Sequence, residues 1–169
     1  SLSVSTVSIS VPAQVPGPVE LDVLLRNVTI DDGRFEFNSA RSVDGSVLLD
    51  GVSIVTEDDY AVRVRGSGDM GTVTLRGLDL QGPYGIHADE YFEGLVIDGS
   101  KVKADLVALY VSGNVGRQPM TVTGLRVEGA AMGIKVAHAN VEATGCDLTG
   151  AAVPIWLGDD ASASLDDCL

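Results

Sequence analysis

The densest group of side chains that could do chemistry lies in the stretch GIHADEYFEG at residues 85–94. His87, Asp89 and Glu90 combine an imidazole with two carboxylates, the groups that serve as general acid and base or as metal ligands. The doublet Asp58–Asp59 offers paired carboxylates in a loop, which suit Ca²⁺. In both places an ordinary acidic loop is the alternative, because Asp is common in turns for local hydrogen-bonding reasons. Apart from calcium, the sequence predicts no cofactor.

Two further sets of residues recur at equivalent positions of a repeat. Asp79, Lys101 and Arg126 place a carboxylate and two cations at one outward position, which indicates a solvated face of compensating charges, with a functional site as the alternative. The second set combines aromatic rings with an imidazole and an ammonium. Its members are His87, Tyr110, Lys135 and Trp156. Aromatic faces beside polar donors suit sugar rings, so this set predicts glycan contact, although Tyr and Trp also favour strands without any ligand.

The repeat is an eight-residue phrase that occurs as VLLRNVTI at 23–30, VLLDGVSI at 47–54 and VTLRGLDL at 73–80. Seven copies, the last truncated, begin at Val23, Val47, Val73, Leu95, Met120, Val141 and Ala163. Their start-to-start steps are therefore 24, 26, 22, 25, 21 and 22 residues. A period in the twenties is typical of a solenoid, in which each coil buries its inner face against its neighbours.

Each copy alternates apolar and variable residues on both sides of two turn residues, which predicts two short strands with one buried face. The second turn residue is always one that tolerates positive φ. These residues are Asn27, Gly51, Gly77, Gly99, Gly124, Gly145 and Asp167. A third strand follows a loop of uneven length, as at Val62–Val64 and Ile86–Ala88. The sequence thus predicts an all-β, right-handed, single-stranded parallel β-helix of about seven coils of 21–26 residues, with three short strands per coil.

This periodicity resembles that of the pectate-lyase-like β-helix superfamily, which includes polysaccharide lyases and hydrolases, epimerases, phage tailspikes and many surface proteins. The resemblance covers roughly residues 21–169 and rests on coil spacing, not on a catalytic motif. It implies an extracellular or cell-surface location. Catalytic members commonly have clustered Asp, or Asp with Arg or Lys, so the resemblance makes Asp79, Lys101 and Arg126 the catalytic candidates. Catalytic members also tend to have more coils and longer loops. We therefore expect a non-catalytic module that is structural, adhesive or self-assembling, with a polysaccharide lyase, hydrolase or epimerase, or a fragment of one, as the alternative.

Residues 1–20 stand outside the period and are expected to form an N-terminal cap or an irregular first coil before the β-helix of residues 21–169. The chain stops in mid-coil, which suggests a fragment or an end that meets another molecule. Leu24, Leu48 and Val96 align as an outward aliphatic stripe, which predicts a covering element. The N-terminal segment is the preferred cover and a second protomer is the alternative, so self-association is expected through this stripe or through the solenoid ends.

Cys146 and Cys168 both fill the inward position just after the turn, so they should stack in adjacent coils. Stacked strands bring Cα atoms within disulfide range, and a bridge is favoured if the protein is exported. The alternative is two buried thiols that act as small hydrophobes.

The overall charge limits the partners. With 24 acidic and 11 basic residues the formal net charge is −13, and such a surface repels phosphate backbones, so nucleic acid is not expected as a partner. Membrane insertion is not expected either, because no apolar run reaches the ~18 residues of a membrane span.

Overall fold

The computed structural model describes residues 2–14, 19–57, 59–113 and 119–169. Over these residues the chain forms sixteen strands and no helix, so it contains no helix that could span a membrane. The strands are β1 (Leu2–Val4), β2 (Val7–Val11), β3 (Val19–Arg26), β4 (Val28–Asp31), β5 (Phe35–Ser39), β6 (Val43–Asp50), β7 (Ser53–Val55), β8 (Tyr60–Arg76), β9 (Asp79–Asp98), β10 (Lys101–Ser112), β11 (Met120–Thr123), β12 (Arg126–Glu128), β13 (Ala130–Ala137), β14 (Asn140–Thr144), β15 (Ala151–Leu157) and β16 (Ser162–Asp166).

The strand pairings among these residues are parallel and stack the coils into a β-solenoid of about six turns with three strands per coil. The first sheet contains β3, β6, the C-terminal parts of β8 and β9, β11, β14 and β16. The second contains β1, β4, β7, the N-terminal parts of β9 and β10, and β12. The third contains β2, β5, the N-terminal part of β8, the middle of β9, the C-terminal part of β10, β13 and β15. The predicted all-β parallel solenoid is confirmed.

The corner between the first and second sheets repeats once per coil. Its residues all have positive φ: Asn27 (53°), Gly51 (62°), Gly77 (59°), Gly99 (54°), Gly124 (59°), Gly145 (61°) and Asp167 (49°). From Asn27 to Gly145, each corner N–H donates to a carbonyl of the next coil, as from Gly51 to Arg76 at 2.9 Å and from Gly77 to Asp98 at 2.9 Å. Every corner therefore requires a residue that adopts the left-handed backbone conformation at a low cost in free energy. This explains the Gly, Asn and Asp at these positions of the sequence.

A ladder of opposite charges runs beside this corner. Arg26, Asp50 and Arg76 stack in register on consecutive coils. The Asp50 carboxylate lies 3.1 Å from Arg26 Nε and 2.9 Å from Arg76 Nη2. Hydrogen bonding by Arg76, with a further contribution from Arg26, lowers the pKa of Asp50 below its usual 3.8. Alternating charges therefore favour the observed register, because like charges stacked at this spacing would repel.

The core is an aliphatic column inside the coils. Leu49, Leu75, Ile97 and Val122 hold equivalent inward positions of the first sheet and are fully buried. Each of these side chains packs between the equivalent side chains of the preceding and the following coil. The apolar interior of a coil in the middle of the solenoid is therefore covered on both sides. At the coil formed by β15 and β16, the equivalent residue Leu165 is 51% exposed.

Residues 2–11 form a coil in register with the next one. Leu2 pairs with Val28 through β1 and β4, and Val7 pairs with Phe35 through β2 and β5. This segment therefore extends the solenoid and does not fold back over the aliphatic stripe. For residues 2–11, the prediction that the N-terminal segment covers this stripe is wrong. Leu24 remains 60% exposed.

Candidate functional site

An outward line of side chains on the third sheet brings the predicted ligand-binding residues together. Pairing of β9, β10, β13 and β15 places His87, Tyr110, Lys135 and Trp156 side by side on consecutive coils. We call these four residues the aromatic column. Arg63 and then Glu36 continue the line beyond His87. Because paired strands lie ~4.8 Å apart, each side chain of the column stands one stacking distance from the next.

The members of the column contact one another through their rings. The His87 and Tyr110 rings are stacked, with centroids 4.8 Å apart and planes inclined by 10°. Lys135 Nζ lies 4.5 Å from the Tyr110 ring centroid and 5.2 Å from that of Trp156, which is cation–π geometry on both sides. The Trp156 ring lies over Gly158, where a Cβ would come within 2.8 Å of it. Trp156 is nonetheless 41% exposed, so part of the ring remains open to a ligand.

Two tyrosines that were not predicted extend the group of rings. The Tyr60 centroid lies 4.6 Å from that of Tyr84 and 4.6 Å from that of His87. Burial, followed by the neighbouring Tyr84 and Asp59, raises the pKa of Tyr60 to about 12, so its hydroxyl stays protonated. The sequence did carry a signal for both residues, since each precedes the first inward residue of a predicted third strand by two positions.

His87 is more deeply buried than an outward position suggests. It is 8% exposed, and neither ring nitrogen has a hydrogen-bond partner among the described residues. Its Nε2 lies 4.0 Å from Asp89 Oδ2, which is too far for a hydrogen bond. Burial lowers the pKa of His87 to about 4; the nearby Asp89 opposes this shift, and Arg63 and Arg65 reinforce it. At neutral pH the imidazole is therefore uncharged and acts as a stacking ring, which does not suit a general acid.

The carboxylates considered for a metal site are engaged with protein groups. Asp89 lies 3.4 Å from Arg65 Nε and accepts a hydrogen bond from the Ser112 hydroxyl. Asp59 accepts a hydrogen bond from Arg34 at 2.9 Å. Within the described ranges no three His, Cys, Asp or Glu residues are grouped so that they could hold a metal ion. Asp58 and the side chain of Glu90 lie outside the described part of the chain.

The catalytic candidates also stack, on the second sheet. Asp79 pairs with Lys101 and Lys101 with Arg126. Both cations approach Glu128, which was not predicted: Lys101 Nζ lies 3.2 Å and Arg126 Nε 3.4 Å from its carboxylate. The Lys101 side chain is 47% exposed and that of Arg126 64%. These contacts match the solvated, compensated face, in which each exposed pair contributes about 0.2–1 kcal/mol.

Cys146 and Cys168 are both free thiols here and lie in adjacent coils. Cys146 is buried, whereas Cys168 is partly exposed at the edge of the core. The disulfide between them stays a prediction.

Comparison of the chain with protein-family models, with curated proteins and with solved structures finds no match.

Proposed function

We propose that this chain is a non-catalytic β-helix module of an exported or cell-surface protein, similar in architecture to the pectate-lyase-like superfamily, and that it contacts glycans through the aromatic column. The observation that carries the proposal is the arrangement of Tyr110, Lys135 and Trp156. Two aromatic rings flank an ammonium along the solenoid axis, with the Trp156 ring 41% exposed.

The chemistry of this arrangement suits a saccharide. Sugar rings offer C–H faces that pack on aromatic rings and hydroxyl groups that accept hydrogen bonds from an ammonium. Lys135 has no carboxylate partner among the described residues, so its N–H donors are not committed to an ion pair. Because Tyr110, Lys135 and Trp156 belong to consecutive coils, the site favours an extended ligand that lies along the solenoid axis.

Binding to a glycan array, followed by titration calorimetry with any positive glycan, tests this proposal. Trp156→Ala should weaken binding about 5- to 150-fold, since the loss of one aromatic ring from a stacking site costs about 1–3 kcal/mol. Leu165→Ala is the matched control, because Leu165 is another large apolar residue exposed on the same coil but on the first sheet. Silence across the array, or equal loss in both variants, would remove the aromatic column as a binding site.

The enzymatic alternative would use Asp79, Lys101 and Arg126. Ion pairing of both cations with Glu128 supports the non-catalytic proposal, because a cation held by a carboxylate is less available to a substrate. Activity is tested on uronic-acid polymers with and without Ca²⁺. Turnover that disappears in both Asp79→Ala and Lys101→Ala would replace the non-catalytic proposal with an enzyme.

Self-association fits the same module, with a second copy of the chain stacked end to end. The edge formed by β15 and β16 exposes Leu165 and carries Asp166 at the corner, and the opposite end carries Arg26 at the equivalent position. Arg26 of a second copy above Asp166 would form a further pair of opposite charges at the corner, like that of Arg26 with Asp50. Sedimentation equilibrium should show reversible mass growth with concentration, weakened in Arg26→Glu. A strict monomer from micromolar to millimolar concentration would rule this out, as would growth that Arg26→Glu leaves unchanged.

A further inference from the structure

Cys146 and Cys168 occupy the same position in consecutive coils. Each directly follows a corner residue with positive φ, Gly145 at 61° and Asp167 at 49°. Backbone hydrogen bonds fix the register on both sides: Gly145 N donates to Asp166 O at 2.9 Å, and Leu169 N donates to Cys146 O at 2.8 Å. Cys168 therefore lies directly beside Cys146 at the ~4.8 Å spacing of paired strands, which falls within the Cα range of disulfides.

The two thiols also face the same side. Cys146 is 1% exposed in the core, and Cys168 packs against that core from the last coil. Burial, with the adjacent Cys168 contributing, raises the pKa of the Cys146 thiol. The contacts of both sulfur atoms are long and weak, as from Cys146 to Val122 O at 3.7 Å and from Cys168 to Ala143 O at 3.5 Å. Oxidation would therefore sacrifice little hydrogen bonding.

We propose that Cys146 and Cys168 are a redox-active pair whose disulfide fastens the terminal coil to the rest of the solenoid. A disulfide oxidant such as oxidised glutathione supplies the oxidising equivalents. The Cys168 thiolate attacks first because it is the more exposed; it forms a mixed disulfide and releases one glutathione thiolate. The Cys146 thiolate then displaces the second glutathione. One S–S bond forms, two thiol protons leave, and the oxidant is reduced to two thiols.

The terminal coil is the part of the solenoid that such a bond would affect most. β16 pairs only with β14 among the described strands, and Leu165 and Leu169 are 51% and 79% exposed. A coil with one covered edge opens more easily than an interior coil. Cys146 belongs to a coil that is covered on both sides, whereas Cys168 belongs to the terminal coil. The disulfide would therefore link the coil that opens more easily to a coil that stays closed. The disulfide would close the loop of chain between Cys146 and Cys168. From the conformational entropy that such a loop loses, we expect opening of residues 162–169 to be suppressed on the order of 100-fold.

The experiment equilibrates the whole chain with oxidised and reduced glutathione and counts thiols by alkylation under unfolding conditions and mass spectrometry. We expect both thiols to disappear together, a monomer lighter by two hydrogen atoms, and a peptide that joins Cys146 to Cys168. Hydrogen exchange of residues 162–169 should slow in the oxidised chain and not in Cys168→Ser treated in the same way. Two alkylatable thiols in excess oxidant, glutathione adducts alone, or linked dimers alone would overturn the proposal. Should Cys168→Ser fail to fold, exchange of the reduced and oxidised natural chain decides.

Discussion

Replacing Gly99 by Ala isolates the cost of the left-handed backbone at one coil corner. Gly99 has a φ of 54°, and no atom lies within 4 Å of the position that a Cβ would take. The added methyl group therefore meets no neighbour, and the penalty is conformational. A left-handed non-glycine residue costs about 1–2 kcal/mol, and about 0.4–1 kcal/mol is recovered because Ala restricts the unfolded chain. The net expected loss is about 1 kcal/mol.

Gly94 provides a matched control five residues earlier in the same coil. Its φ lies outside the left-handed region, and the nearest atom to its Cβ position is Thr72 Cγ2 at 3.9 Å, an ordinary contact. Gly94→Ala should therefore stabilise the fold by about 0.5 kcal/mol through the unfolded state. Gly99→Asn should cost less than Gly99→Ala, because Asn27 adopts a φ of 53° at the equivalent corner.

Urea unfolding, monitored by circular dichroism, compares the free energy of unfolding of all three variants with that of the natural chain. The two alanine variants should differ by about 1.5 kcal/mol, and each kcal/mol corresponds to a shift of about 2–4 °C in Tm for a chain of this size. Equal midpoints for Gly99→Ala and Gly94→Ala, or an Asn variant less stable than the Ala variant at Gly99, would refute the reasoning. Corner strain would then not be what selects glycine once per coil.

Three other perturbations test the core and the titrating groups. Leu75→Ala should cost about 2–5 kcal/mol because the side chain is fully buried, and Leu24→Ala, which changes an exposed residue, should cost less than about 0.5 kcal/mol; urea midpoints compare them. The Asp50 carboxylate, whose pKa Arg76 lowers, stabilises the fold above the unfolded value of 3.8, and this contribution is lost as pH falls through the lower folded pKa. Asp50→Asn should flatten the acid limb of stability against pH, and parallel profiles would contradict this. Burial lowers the pKa of His87 from 6.5 to about 4, so the unfolded chain takes up the proton first and stability falls between these two pH values and levels off below them. His87→Gln should remove that slope, and NMR titration of the His87 ring should give the midpoint.

The stacking of side chains could be predicted from the sequence because the corner residue is a fixed reference position from which all copies of the repeat can be aligned. Two-residue alternation on either side of Gly77 and Gly99 fixes which positions point inward, and neighbouring coils then align without further information. The predicted lines through Lys101 and Arg126 and through Tyr110 and Lys135 appear with that register.

The partners of those side chains could not be predicted in the same way. Tyr60 enters the group of rings because β8 begins two residues before the predicted third strand. Tyr84 enters it because β9 runs unbroken from Asp79 through the stretch where the sequence predicts a loop. His87 is buried because rings from two neighbouring coils lie on both of its faces, which alternation within one strand does not reveal. Glu128 neutralises cations of two different coils, and that choice depends on side-chain reach.

Spin-label distances along one line of the second sheet test the stacking of coils most directly. Labels attached through a ketone-bearing unnatural amino acid leave Cys146 and Cys168 untouched. Thr29 and Arg126 are four coil steps apart and Thr29 and Asp147 five, so the backbone separations should be about 19 Å and about 24 Å at ~4.8 Å per step. Distances that grow by one coil step between the two pairs are the expected result. Equal distances for the two pairs would contradict the solenoid and every column built on it. So would a difference as large as the length of an extended chain of the 21 residues from Arg126 to Asp147.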